Sequence, residues 1–138
     1  MKIGELVKQS GIAAETLRFW EREGLLSPAR RSTSGYRDYS QENLAQVEFI
    51  KHAKSVGFTL SEISELLSIR VDPESHSCGE VKQLADSKLR KIETKIEELR
   101  QMHQALARIS DICCGGDTPA IRCTILNALE SGHGRRHA

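Results

Sequence analysis

Apolar positions near the start of the chain fall at Ile3, Leu6 and Val7, one face of a short helix that Ser10-Gly11 interrupts. After Ile12, Ala14-Glu15-Thr16 opens a second helix that reaches Glu23, with Leu17, Phe19 and Trp20 available for packing. Gly24 stops it, and Pro28 follows shortly after. Two short helices about a glycine-containing turn form a helix-turn-helix pattern, whose second helix is the one suited to a DNA major groove. Ser32-Thr33-Ser34-Gly35 is then a polar turn between Arg30-Arg31 and Tyr36-Arg37-Asp38-Tyr39, which predicts a small two-stranded wing.

Further on, Ser40 reads as an N-cap with Asn43 in the first turn of a helix carrying Leu44, Val47, Phe49, Ile50 and Ala53 as far as Gly57. Thr59 and Glu62 have capping-box spacing, and Leu60, Ile63, Leu66 and Leu67 supply the apolar face behind them. Val71-Asp72-Pro73-Glu74-Ser75 reads as a linker. From Gly79 to Ile112 the pattern changes. Ala85, Leu89, Ile92, Ile96, Leu99, His103 and Leu106 recur at alternating steps of three and four, with charges between them. A heptad row of that length calls for a partner helix. Homodimerisation supplies one economically, and folding back on the N-terminal domain is the alternative.

The organisation expected is therefore a winged helix-turn-helix domain over residues 1–71, a linker over 72–78 and a dimerisation helix over 79–112. A loop and short helix over 113–130 follow, with a disordered tail over 131–138. The fold class is mainly α. A chain of 138 residues holds one or two small cores, and 28% charged residues with 4% aromatic suit extended solvated helices. No apolar run suggests a signal peptide or membrane span, so the expected location is the cytoplasm, with no membrane partner.

A net charge of +1 decides nothing, but its distribution does. Arg18, Arg22, Arg30, Arg31 and Arg37 face only Glu21 and Glu23 in their stretch, interleaved with Phe19, Trp20, Tyr36 and Tyr39. A basic surface with aromatics fits phosphate binding; an ordinary solvated helix and loop would also accommodate it.

The four cysteines are Cys78, Cys113, Cys114 and Cys123. Adjacent thiols, a Gly/Pro-containing loop and one further thiol can curl around a single soft cation, and neighbouring cysteines are poorly disposed to pair with each other. In a reducing compartment such thiols are ligands before they are a disulfide framework. Two rival readings are a thiol redox sensor using Cys113 and Cys114, and a zinc enzyme. The enzyme reading lacks a His-Glu-x-x-His motif, an open three-ligand pattern and a cleft-sized domain.

Lys2-Ile3-Gly4-Glu5-Leu6, Glu15-Thr16-Leu17-Arg18-Phe19-Trp20-Glu21, the wing around Gly35-Tyr36-Arg37-Asp38-Tyr39, and Phe49-Ile50-Lys51-His52-Ala53 resemble the MerR family of transcriptional regulators. Leu66 to Glu74, Cys78 and the Cys113-Cys114 to Cys123 loop are similar to its zinc-responsive ZntR branch, near which cadmium and lead sensors lie.

The resemblance implies a winged-helix domain, an antiparallel coiled-coil homodimer and a metal loop beyond the coil. It further implies a dimer on promoter DNA that represses without metal. With metal it distorts the DNA so that RNA polymerase engages, switching on a metal-efflux gene. On the same grounds Thr16, Arg18, Phe19, Trp20, Arg31, Tyr36 and Arg37 are the DNA-binding candidates. Arg18 would contact phosphate or base, and Arg31 and Arg37 would grip phosphates; Tyr36 is assigned to contact and Tyr39 to packing. Trp20 stands where the family usually has tyrosine, leaving only an indole N–H to donate. Cys78, Cys113, Cys114 and Cys123 are the metal candidates, with Cys78 completing the other subunit's site; the alternative for Cys78 is a small buried apolar residue. Thr118 occupies the position of the branch's loop histidine, so Asp117 or His76 are candidates for an additional ligand. The expected ion is Zn²⁺, with Cd²⁺, Pb²⁺ and Hg²⁺ as alternatives favoured by a thiolate-rich site.

Overall fold

A computed structural model describes residues 1–132, and the chain divides into two compact units, Met1–Ala85 and Asp86–Ala138. The disordered tail expected over residues 131–138 lies outside the described residues except at Ser131 and Gly132, which end the last helix.

The N-terminal unit begins with α1 (Ile3–Ser10) and α2 (Ala14–Arg22). Between them Gly11 takes a φ of 76°, the left-handed conformation that glycine adopts without a Cβ penalty, and its N–H bonds back to the Val7 carbonyl. Lys51 of a later helix donates its Nζ to the Ser10 carbonyl at 2.7 Å, giving the C-terminus of α1 a cation where its dipole is negative. The wing follows as β1 (Arg30–Arg31) and β2 (Arg37–Asp38), antiparallel, with Arg30 opposite Asp38 and Arg31 opposite Arg37. The Met1 α-ammonium donates to Asp38 Oδ1 at 2.7 Å, and the Tyr39 N–H donates to the Met1 carbonyl, so the start of the chain lies along the wing.

Helices α3 (Gln41–Ser55) and α4 (Leu60–Val71) both start with reciprocal capping boxes, Ser40 with Asn43 and Thr59 with Glu62. Each box satisfies two backbone donors that a helix start would otherwise leave open. Leu6, Leu17, Trp20, Leu25, Leu26, Tyr39, Val47, Ile50 and Ile63 form one buried cluster that joins α1, α2, the wing, α3 and α4. That shared core sets the angle between the recognition helix and the wing.

The linker expected over 72–78 follows directly on α4 and has local structure of its own. Val71 closes α4, and Pro73–Ser75 forms a 3₁₀ turn with proline at its first position. The long helix α5 runs Cys78–Asp111, 34 residues or about 50 Å at 1.5 Å per residue. It starts one residue earlier than expected because Ser77 and Glu80 cap it. Glu80 N–H donates to Ser77 Oγ at 3.2 Å, and Ser77 N–H reaches Glu80 Oε1 at 3.4 Å. Within the described residues of the second unit, Ile109 on α5 and Ala128 on α6 (Thr124–Ser131) are buried. Leu89, Ile92, Ile96, Leu99 and Leu106 of the heptad row are all exposed on the single chain, Leu106 by 61%.

Candidate DNA-binding groove and metal loop

Arg18 of α2, Arg31 of β1, Arg37 of β2 and Tyr36 of the wing turn line a single groove of about 400 Å³, joined by Lys2, Ile3 and Gly35. Recognition helix and wing thus present three cations, and the start of the chain a fourth, to one concavity, as a polyanion requires. Tyr36 is 62% exposed, and the Lys2 ammonium sits 5.1 Å from its ring centroid, a cation–π pair that holds both at the groove wall. The wing turn is rigidified from within: Arg31 Nη1 donates to the Gly35 carbonyl at 3.1 Å, and the Tyr36 N–H donates to Ser32 Oγ at 3.1 Å.

Other candidates on α2 separate by exposure. Phe19 is 38% exposed, with the Arg22 guanidinium 5.8 Å from its ring centroid. Thr16 is half-buried and lines a smaller pocket of about 220 Å³ with Gly11, Ile12, Ala13, Lys51 and Lys54. Trp20 borders the same pocket, but at 2% exposure its ring belongs to the hydrophobic cluster, which is the packing role its spacing on α2 suggested. Amphipathic spacing on a nine-residue helix leaves Leu17 and Trp20, three apart, on the same inward stripe. Tyr39, assigned to packing, is 1% exposed and donates its hydroxyl to Glu21 Oε1 at 3.1 Å. Burial pushes that hydroxyl above its ordinary value, which keeps it a neutral donor.

Lys2 was missed in the sequence. Nothing in its neighbours marks it, because the backbone pairing of Met1 with Tyr39 is what carries it to the wing.

In the second unit the chain leaves α5 at Asp111 and returns through a 3₁₀ turn (Ala120–Arg122) into α6. Cys113, Cys114 and Cys123 all line one pocket of about 420 Å³, with Thr118 and Pro119 on its wall. Thr124 Oγ1 donates to the Ile112 carbonyl at 2.7 Å and so closes the loop at its neck. Cys123 is the N-cap residue of α6; no side-chain hydrogen bond of ordinary cap length forms there. Its thiol is nonetheless held below the usual range, chiefly by the backbone N–H of Leu126. Burial opposes the effect, and the Ile125 N–H and the Cys113 side chain add to it. The field of a helix start extends beyond strict hydrogen-bond geometry and favours the thiolate, the form that binds soft ions.

Among the described residues, no three His, Cys, Asp or Glu side chains of one chain gather into a ready metal cluster. All four cysteines are free thiols. Cys78 is exposed on the single chain, at the first residue of α5 and in the other unit from the loop. Asp117 is exposed in the loop. His76 commits its Nδ1 to Glu80 Oε2 at 2.8 Å, an interaction that draws the Glu80 carboxyl below its usual range.

Residues 1–69 match the sequence profile of the MerR HTH family regulatory proteins, and residues 44–109 match the profile described as MerR, DNA binding. The chain belongs to the MerR family. Among MerR-family relatives it is 40% identical to the HTH-type transcriptional regulator ZntR of Escherichia coli K12, over 95% of this chain and 93% of that one. The crystal structure of PbrR691 from Ralstonia metallidurans CH34, in complex with lead(II), superimposes with a TM-score of 0.82 at 38% identity, covering 94% of this chain and 98% of that one. That of the dual-function regulator MerR from Bacillus megaterium MB1, in complex with mercury(II), gives a TM-score of 0.70 at 29% identity over 94% and 99%. A MerR-family chain with this architecture is a transcriptional regulator. No helix of its described residues is long and apolar enough to cross a membrane.

Proposed function

We propose that this chain is a metal-responsive transcriptional regulator that acts on promoter DNA as a homodimer, with the Cys113–Cys123 loop as its sensor. The observation that carries this reading is that three cysteines line one pocket, one of them biased toward thiolate at the start of α6. The donor set fits a divalent soft ion and suits neither magnesium nor calcium. When bound, such an ion supplies a thiolate-to-thiolate cross-link.

Cys113, Cys114 and Cys123 are the loop's donors, and Cys78 of the partner subunit completes the set. The exposed row on α5 supports the dimer this requires, because five large apolar side chains at heptad spacing stay wet on a lone chain. In an antiparallel pair of such helices, the start of one lies beside the end of the other. Two winged domains held at fixed spacing then suit a two-fold operator. The four cations of each groove anchor the domain on phosphates, and Arg18 projects from the recognition helix.

Repression without the ion and activation with it follow the family's mode: the loaded dimer distorts the promoter so that RNA polymerase engages both of its elements, and the controlled gene is one for metal efflux. Kinship with ZntR supports zinc as the inducer. Thr118 in the loop leaves the site richer in thiolate than in imidazole, which favours cadmium, lead or mercury as the second reading. Asp117 or His76 could add a harder donor, and for His76 the bond to Glu80 is the orientation that frees Nε2 for an ion.

The test is a titration of zinc, cadmium and lead into the reduced protein bound to its promoter fragment, following reactivity of the spacer bases to a single-strand probe. Enhanced reactivity that saturates with one of these ions, and is abolished by Cys123→Ser, is expected. Spacer reactivity indifferent to all three ions would remove the metal reading and leave the redox one.

A further inference from the structure

From its three contacts we infer that Glu21 is a positioning residue for operator recognition, orienting Arg37 and both ends of the wing against the recognition helix. The inference rests on the DNA-binding reading and deepens it. Glu21 lies on α2 one turn beyond Arg18, and its side chain is 13% exposed. Its Oε2 accepts the Ala29 N–H at 2.9 Å, on the segment that enters β1. Its Oε1 accepts the Tyr39 hydroxyl at 3.1 Å, just past β2, and lies 3.4 Å from Arg37 Nη1. One carboxylate therefore fastens the entry and the exit of the wing to the helix that carries Arg18.

Arg31 is tethered to a carbonyl within its own turn, whereas Arg37 is tethered to a carboxylate on the recognition helix. Its guanidinium meets Glu21 through one nitrogen while the side chain still lines the groove with Arg18 and Arg31. A guanidinium fixed by one edge offers its remaining N–H groups in a defined direction, which a free surface arginine does not. The partial neutralisation also lowers the share of Arg37 in non-specific attraction. Glu21 thus trades bulk electrostatics for orientation, which raises the ratio of specific to non-specific binding.

The test compares Glu21→Gln, Arg37→Ala, the double variant and Tyr39→Phe in the full-length protein. The specific probe is an operator duplex selected by the wild type from a randomised pool, and the non-specific probe is a scrambled duplex. Thermal melting and dimer mass are recorded for each. Glu21→Gln keeps the shape and one acceptor but loses the charge that holds Arg37. It should lower the specific-to-non-specific ratio by about tenfold, and this loss should vanish when Arg37 is already alanine. Tyr39→Phe removes a hydroxyl that faces both Glu21 and Arg37 but leaves the Glu21–Arg37 ion pair, so it should lower the melting temperature and lower the ratio much less than Glu21→Gln.

If Glu21→Gln lowers the ratio equally with and without Arg37, or if Tyr39→Phe lowers it as much, the role is structural and the inference is overturned. An unchanged ratio in Glu21→Gln overturns it as well. The DNA reading fails separately, through an unaffected operator affinity in Arg18→Ala and Arg31→Ala.

Discussion

Thr124 and Ile112 stand twelve residues apart and are joined by a 2.7 Å hydrogen bond from the threonine Oγ1 to the isoleucine carbonyl. Between them lie all three loop cysteines, so this bond sets the distance between the exit of α5 and the start of α6. Thr124→Val keeps the shape and removes the donor. One net hydrogen bond is about 1 kcal/mol, or about fivefold in affinity. Because the bond orders the loop before an ion binds, metal affinity should fall by at most about that factor, with dimer mass and operator affinity unchanged, measured by competition with a chromophoric chelator. Undiminished affinity would mean that the loop is held some other way.

Arg18→Ala should weaken operator binding without altering dimer mass or metal stoichiometry. Loss of a phosphate contact lowers the slope of log affinity against log salt by about one, whereas loss of a base contact costs about 1–3 kcal/mol at one operator position. Gel-shift titrations over a range of salt distinguish the two. Lys2→Gln should show the phosphate pattern alone, because its ammonium reaches the groove from outside the recognition helix.

Trp20→Ala addresses the aromatic for which the sequence offered both packing and DNA contact. A core position at 2% exposure should lose about 3–5 kcal/mol of stability, read by denaturant unfolding of the N-terminal unit. A surface contact residue would instead lose operator affinity with stability intact.

Ile92→Asp combined with Ile96→Asp puts two charges into the exposed α5 row, at positions 37% and 49% exposed on the single chain. Sedimentation should give a monomer, and operator binding should be lost with it, since two half-sites need two linked domains. A persisting dimer would place the helix contact elsewhere.

Much of this fold could be read locally. Capping boxes at Ser40/Asn43 and Thr59/Glu62 are short-range chemistry, and the glycine at 11 marks its own turn. The heptad row on α5 is likewise a matter of counting intervals. What escaped reading depends on tertiary contact. Glu21 registers in the sequence only as a charge opposing the arginines, because its partners Ala29, Arg37 and Tyr39 come to it through the wing. Trp20 sits in a motif that suggests contact and at a spacing that suggests packing, and the packing of α3 and the wing against α2 gives it to the core. Lys2 reaches the groove through a strand-like pairing too short to leave a pattern. For the site, the spacing of the loop thiols along the chain was legible, while their shared pocket and the bias of Cys123 toward thiolate needed the loop and the start of α6 to be located.

The most direct test of a metal sensor shared between protomers is the metal capacity of a mixed dimer of Cys78→Ser and Cys123→Ser subunits. If Cys78 completes the partner subunit's site, one site of the mixed dimer lacks both cysteines and the other is intact. Half of the wild-type tight-binding capacity should then return, although each parent homodimer has none. If every site is built within one subunit, each site of the mixed dimer lacks one cysteine. Failure to recover tight binding in the mixed dimer would contradict the shared site.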